Sequence, residues 1–353
     1  MIKEFKYFDK DLQSYREHIE GYIPDRIIDS HVHIWKNSFI AGHIDPVKKK
    51  TDPFFSFDCI DEFSFEDFDE VSGTLFPEKQ YEGIFFGAPF EEIDIDANNQ
   101  MIIDRSLKDN INGLFIPKAD HRPEFVEEKI LEGGLLGFKP YPDLALGKKY
   151  RHDQDSVSIA EMITGDQLAL ANKYRLMIVL HIPKSRRIRD EENIREIIGI
   201  SEAYPDLKLI LAHAGRSYCV YDIIDSIDRI KGLDNVFVDT AVINNWEVIE
   251  ILLENLGSHR IIYGSDFPIA ALRGKNICIN DVHYFVTARA FPWSVSGPSI
   301  KEANMTFFIY EEIKEILKAV RKTGSGKKDI ENIFFNNIKN ILDSIHTRRK
   351  DKP

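Results

Sequence analysis

A closed (β/α)₈ barrel of the TIM type, built as one α/β domain, is the fold this sequence predicts, and three observations predict it. Eight short apolar runs alternate with helix-like patterns along most of the 353 residues, with no internal repeat. Several runs end in a residue able to hold a metal or move a proton, and barrels build their sites at strand ends. The first run closes on Ser30-His31-Val32-His33, without the glycine-rich turn that an open dinucleotide-binding sheet requires.

Taken in order, residues 1–25 form an N-terminal extension, and the barrel strands fall within 26–268. The apolar runs predict strands at 26–33, 83–88, 113–117, 135–140, 176–182, 207–212, 235–239 and 260–264. The periodicity between them predicts helices at 95–108, 123–131, 158–174, 190–204, 221–230 and 245–256. Ser158 and Glu161 read as a capping box, and Pro205 stops the helix after strand five. The stretches 36–80 and 267–299 follow strands one and eight and exceed ordinary loop length. They are expected to recognise substrate, because barrel sites are made from such βα loops. Residues 269–346 read as this second long loop plus extra C-terminal helices broken at Gly324-Ser325-Gly326, and 346–353 as a solvated basic tail.

Charge narrows the function classes. The 46 basic against 58 acidic residues leave a net charge of −12, which disfavours nucleic acid and anionic lipid as partners. The longest clean apolar run, Leu176 to Leu180, is too short to cross a bilayer, and the first residues lack a signal-peptide core. A cytoplasmic protein acting on a small molecule is expected, and homo-oligomer formation is left open. Cys59, Cys219 and Cys278 are odd in number and widely spaced, so they read as reduced, mostly buried thiols.

The chemistry gathers at strand ends. His31 and His33 lie two apart, so strand alternation points both imidazoles to one face. His181 ends strand five, His213 follows strand six, and Asp266 follows strand eight. A lone histidine near a strand end is usually structural, but barrel closure would bring all five residues to one rim. Imidazole nitrogen and carboxylate oxygen suit zinc or another divalent metal, and a catalytic site of this kind leaves a position for water. Gly324-Ser325-Gly326-Lys327-Lys328 lacks phosphate-loop spacing, and the Phe54-Phe55-Ser56-Phe57 cluster reads as a loop anchor.

These residues resemble the amidohydrolase superfamily, within it the amidohydrolase-related branch of metal-dependent hydrolases and nonoxidative decarboxylases. The resemblance rests on Ile28-Asp29-Ser30-His31-Val32-His33, Gly137-Phe138-Lys139-Pro140, His181, Leu211-Ala212-His213-Ala214-Gly215-Arg216 and Gly264-Ser265-Asp266-Phe267-Pro268. It implies His31, His33, His181 and Asp266 as metal ligands, with Asp266 and His213 as the catalytic pair. One ion is expected, with a second left open. Lys139 matches the place of a carboxylated lysine that bridges two metals in binuclear relatives; as a plain cation it would bind a substrate carboxylate or pair with a neighbouring acid. Arg216 is the second substrate-binding candidate, against the alternative of a surface ion pair.

The leading expectation is hydrolysis of a small amide, ester or lactone by a metal-activated water. The nearest rival is metal-dependent decarboxylation of an aromatic or unsaturated acid. A noncatalytic metabolite-binding barrel stands third, since fold alone does not fix function.

Overall fold

The computed structural model describes residues 5–42, 44, 46–47, 60–146, 154–297, 299–300 and 305–350. Cys59 and the Phe54–Phe57 cluster lie outside them. Eight parallel strands follow the predicted order: β1 (Arg26–His33), β2 (Gln80–Phe86), β3 (Asn112–Gly113), β4 (Gly137–Phe138), β5 (Met177–Leu180), β6 (Lys208–Leu211), β7 (Val236–Asp239) and β8 (Ile261–Ile262). Each pairs with its sequence neighbour except across β3 and β4, where a parallel bridge between Phe115 and Phe138 makes the join. The ring closes where β8 meets β1. Val32 bridges Phe267 in parallel, Ser30 N donates to the Tyr263 carbonyl at 3.0 Å, and Asp266 N donates to the His31 carbonyl at 3.0 Å. The predicted barrel is therefore the observed one.

Covered strands explain the continuous apolar runs. β1 is buried from Ile27 to His33, as expected of a parallel strand with packing on both faces. Its register shifts between Asp29 and Val32 against β2. Within that shift the His31 amide turns to the Asp29 side chain, donating to Oδ1 at 3.0 Å.

β4 depends on a glycine. Gly137 has φ +159°, and a Cβ built there would stand 1.8 Å from the Met177 carbonyl oxygen of β5. Gly137→Ala is therefore expected to destabilise the protein by at least ~2 kcal/mol through forced separation of β4 from β5. Chemical denaturation would reveal the lowered midpoint, and an unchanged midpoint would refute the packing argument.

Five expectations need correction. Within 36–80, read as loop, lies the helix Phe65–Leu75, started by the Ser64 side chain accepting from Asp67 N. The segment 158–174 is two helices, Ile159–Met162 and Gly165–Tyr174, because the Thr164 side chain accepts from Gln167 N and starts the second one. The segment 221–230 is likewise two short helices, Val220–Ile223 and Ile227–Ile230. The segment 267–299 contains an antiparallel hairpin, β9 (Gly274–Ile279) and β10 (Val282–Thr287). Its two-residue turn, Asn280-Asp281, takes φ +49° and +63°, the left-handed conformation that such hairpin turns demand. At the chain's end a helix runs through Asn337–Lys350, covering most of the stretch read as a tail.

The thiol reading also changes. Cys219 and Cys278 form a disulfide, which links the loop after β6 to β9. Cytoplasmic thiols are ordinarily kept reduced, so the cysteines no longer support a cytoplasmic placement. Among the described residues, no helix is long and apolar enough to cross a membrane.

The extension and the C-terminal helices are packed parts of the molecule. Tyr15 of the helix Asp9–Tyr15 contacts Phe76 and Tyr310 at ring-centroid distances of 6.0 Å each. From the helix Phe308–Lys322, the buried Glu312 carboxylate accepts from Thr240 Oγ1 at 2.8 Å and Val242 N at 3.0 Å. A C-terminal residue thus fixes the loop that leaves β7.

Candidate metal centre

The C-terminal ends of β1 and β8 supply the centre of the site. His31 Nε2 and His33 Nε2 lie 3.4 and 3.3 Å from the same atom, Asp266 Oδ1. His213 stacks toward His31 with ring centroids 4.9 Å apart, and His181 meets His213 edge-on at 5.3 Å. Lys139 Nζ sits 3.1 Å from His31 Nε2 and 5.0 Å over the Phe86 ring. Six of the seven predicted residues, all but Arg216, therefore meet around one small volume.

The far sides of three of the four imidazoles are already engaged. His31 Nδ1 donates to Asp239 Oδ2 at 2.9 Å, His33 Nδ1 to the Gly87 carbonyl at 3.0 Å, and His213 Nδ1 to the Ala241 carbonyl at 3.0 Å. Those bonds leave each Nε2 without its proton and facing inward, the state a metal ligand needs. Burial, joined by nearby positive groups, holds His31 and His181 well below the ordinary imidazole range; burial likewise lowers His33 against the pull of Asp266. Burial by itself would raise Asp266, but the close contact with His33 and the positive charge of Lys139 help outweigh it and keep the carboxyl below its usual value. Neutral imidazoles around a carboxylate fit a divalent cation. Burial also pushes the Lys139 ammonium down to about 8, against the opposing pull of Asp239 and Asp266.

Two acids were missed by the sequence reading. Asp239 ends β7 at the same rim, and besides His31 it accepts from His213 N at 2.6 Å and Ala241 N at 3.2 Å through Oδ1. The rule that found Asp266, a polar residue closing an apolar run, would have found it. Asp29 lies two residues before His31 and receives Ser265 N at 2.8 Å on Oδ1 and Tyr81 Oη at 2.8 Å on Oδ2. It braces the loop that carries Asp266. Burial lifts Asp29 to about 7, despite hydrogen bonds that oppose the rise.

Asp239→Asn gives a test of the ring orientation. Two backbone amides require oxygen at the Oδ1 position, so the new NH₂ would face His31 Nδ1 and force the proton to Nε2. Metal affinity is expected to fall ~10- to 100-fold, the usual effect of losing such a supporting bond. Titration with a chromophoric chelator measures it, and unchanged affinity would reject this role for Asp239.

Arg216 ends the short turn His213–Arg216 after β6, close enough for its charge to act on His181. Its Nη1 donates to the Ile182 and Lys184 carbonyls, each at 3.1 Å. No ion pair to it occurs among the described residues, in contrast to the surface-pair alternative. Arg187 sits nearby, donating to Asp222 Oδ2 at 2.7 Å and to His283 Nδ1 at 2.8 Å. The His283 ring stacks on Tyr218 at 4.5 Å, and Tyr218 lies 6.1 Å from His213.

His283 gives a pH prediction. Burial, then the charges of Arg187 and Arg216, push its pKa to about 3. Between about 6.5 and 3 the unfolded chain binds the proton and the folded chain does not, so stability falls as pH drops through that window. His283→Phe keeps a ring on Tyr218 without the titration, and its unfolding free energy should depend less on pH over this range.

Comparison with known proteins follows the same outline. The family model described as Amidohydrolase matches residues 28–281. No functionally curated protein matches the chain. Among solved structures, an uncharacterised TIM-barrel protein from Bordetella bronchiseptica is 10% identical with a TM-score of 0.55, covering 91% of this chain and 99% of its own. A structure described as a probable 2-pyrone-4,6-dicarboxylic acid hydrolase from Acinetobacter baumannii is 12% identical with a TM-score of 0.52, over 90% and 99%. A 5-carboxyvanillate decarboxylase from Sphingomonas paucimobilis is 11% identical with a TM-score of 0.53, over 91% and 99%. At such identities these likenesses bear on fold.

Proposed function

The chain belongs to the amidohydrolase family, and from that premise we propose that it is a zinc-dependent hydrolase of a small amide, ester or lactone bearing a carboxylate. The observation that carries this reading is the convergence of His31 Nε2 and His33 Nε2 on Asp266 Oδ1, with both Nδ1 atoms tied to acceptors elsewhere.

His31, His33, His181 and Asp266 would hold the ion. When bound, a divalent metal polarises a carbonyl and makes water acidic enough to attack it near neutral pH. Asp266, held anionic by its neighbours, accepts the proton of the attacking water and returns it to the leaving group. His213, its Nδ1 held by the Ala241 carbonyl, would present Nε2 as an acceptor that orients the attacking water toward the carbonyl. Arg216 offers its remaining N–H groups to the substrate carboxylate, since Nη1 is spent on two carbonyls. Lys139 adds a second positive charge inside the cavity.

Decarboxylation is the second reading, and the Arg216 guanidinium, which has no ion pair among the described residues, favours it as well, because an acid substrate needs such a cation. One experiment separates them. Metal-loaded protein is offered carboxylate-bearing lactones, amides and esters beside unsaturated and aromatic acids in ¹⁸O-water. Solvent oxygen in the product supports hydrolysis; carbon dioxide release without it supports decarboxylation. Turnover that persists after the metal is stripped rejects both.

A further inference from the structure

Two ties reach the candidate site from the β9–β10 hairpin, and they come from neighbouring positions on both sides. Cys278 of β9 is bonded to Cys219, and His283, directly opposite Cys278 in the hairpin ladder, stacks on Tyr218. Tyr218 and Cys219 are consecutive residues of the loop after β6, five and six positions beyond His213. His283 also accepts from Arg187, whose guanidinium lies 5.2 Å from the Tyr218 ring centroid. The metal ligands take no part in these contacts. His283 lies beyond residue 281, where the family match ends.

The base of the hairpin is fixed separately. Asn276 N donates to Asn244 Oδ1 at 2.8 Å, Asn276 Nδ2 to the Val242 carbonyl at 2.7 Å, and Gly274 N to the Thr306 carbonyl at 3.1 Å. Lys275 is paired with Glu311 and Glu315. Phe285 is held by Phe308 and Trp293, whereas the outer part, Ile277 to Tyr284, meets the site side through the disulfide, the ring stack and the Arg187 hydrogen bond, and the outward side chains Ile279 and Val282 are each 52% exposed. A two-stranded ribbon has little stability of its own in water.

We propose that the hairpin is a latched wall of the substrate cavity: the Cys219–Cys278 disulfide holds His283 against Tyr218 and Arg187, and so positions those two side chains for the substrate. Tyr218 reaches His213 at 6.1 Å and Arg187 Nη1 donates to the Arg216 carbonyl at 3.4 Å, and His283 fixes the first by stacking and the second by hydrogen bonding. The inference rests on the reading that Arg216 binds the substrate carboxylate. Cys278→Ser removes the latch while leaving the hairpin base and all metal-ligating side chains in place.

The test uses the full-length protein, with benzoate as the planar carboxylate probe. Peptide mapping of air-purified protein should find Cys219 joined to Cys278; free thiols at both positions overturn the proposal. In Cys278→Ser, hydrogen exchange over 276–285 and 217–220 should accelerate at least ~10-fold, as expected when one local tether is lost. Metal stoichiometry should remain that of the wild type, and benzoate should bind ~10-fold more weakly, equivalent to about 1.4 kcal/mol. His283→Ala should also weaken benzoate, and His283→Phe should restore most of the binding by keeping the stack. Unaltered exchange in Cys278→Ser, or an equal effect of the Ala and Phe variants, overturns the latch. Arg216→Gln tests the underlying reading separately: wild-type benzoate affinity in that variant defeats the carboxylate assignment, while the exchange data still decide the latch.

Discussion

Asp266→Asn is expected to lower kcat by at least ~10³-fold, because one change removes both a metal ligand and the group that handles the proton. The asparagine is the informative choice. Asp266 has φ +70°, a left-handed conformation that Asn tolerates and Ala does not. Its backbone N–H, which donates to the His31 carbonyl, is untouched, so the fold should persist. Metal analysis together with a thermal melt checks the result: protein that stays folded but turns over at the wild-type rate would exclude Asp266 from both roles. His181→Ala is expected to show the same joint loss of metal and turnover.

Lys139→Met should have the largest effect on the stability of the metal-free protein. Lys139 is wholly buried, and its charge faces Asp239 and Asp266 in the same cavity. Methionine preserves most of the volume but leaves the carboxylates without that cation, and breaking such a buried charge arrangement costs about 3 kcal/mol or more. A divalent cation can supply the missing charge, so the loss should shrink when metal is added. Denaturation curves with and without zinc measure the difference. Equal destabilisation in both conditions would mean that Lys139 acts by packing, and loss of metal from the variant would instead favour the bridging, carboxylated form of the lysine.

How much of this was legible in the sequence differs by element. β1 was read to the residue because it is long and covered from Ile27 to His33. β3, β4 and β8 each contribute only two residues to the ladder, so their runs were visible but their ends were not: the flanking residues continue the chain direction without completing the hydrogen-bond pattern. His31, His33, His181, His213 and Asp266 could be found because barrel topology alone places strand ends together. Asp239 obeyed the same rule and was overlooked. The hairpin also had its signal, alternating residues around Asn280-Asp281, hidden by the assumption that a stretch following the last strand must be loop. The disulfide had none. Its partners are 59 residues apart, and only the three-dimensional approach of β9 to the loop after β6 makes them neighbours.

The hydrogen bond from Asp266 N to the His31 carbonyl has a consequence for assembly. The stitch that shuts the cylinder and the residues proposed to grip the ion are the same short stretch of chain, drawn from opposite ends of the barrel sequence. Holding the ion and keeping the circle shut are then thermodynamically linked, and a chelator should loosen the first and last staves together.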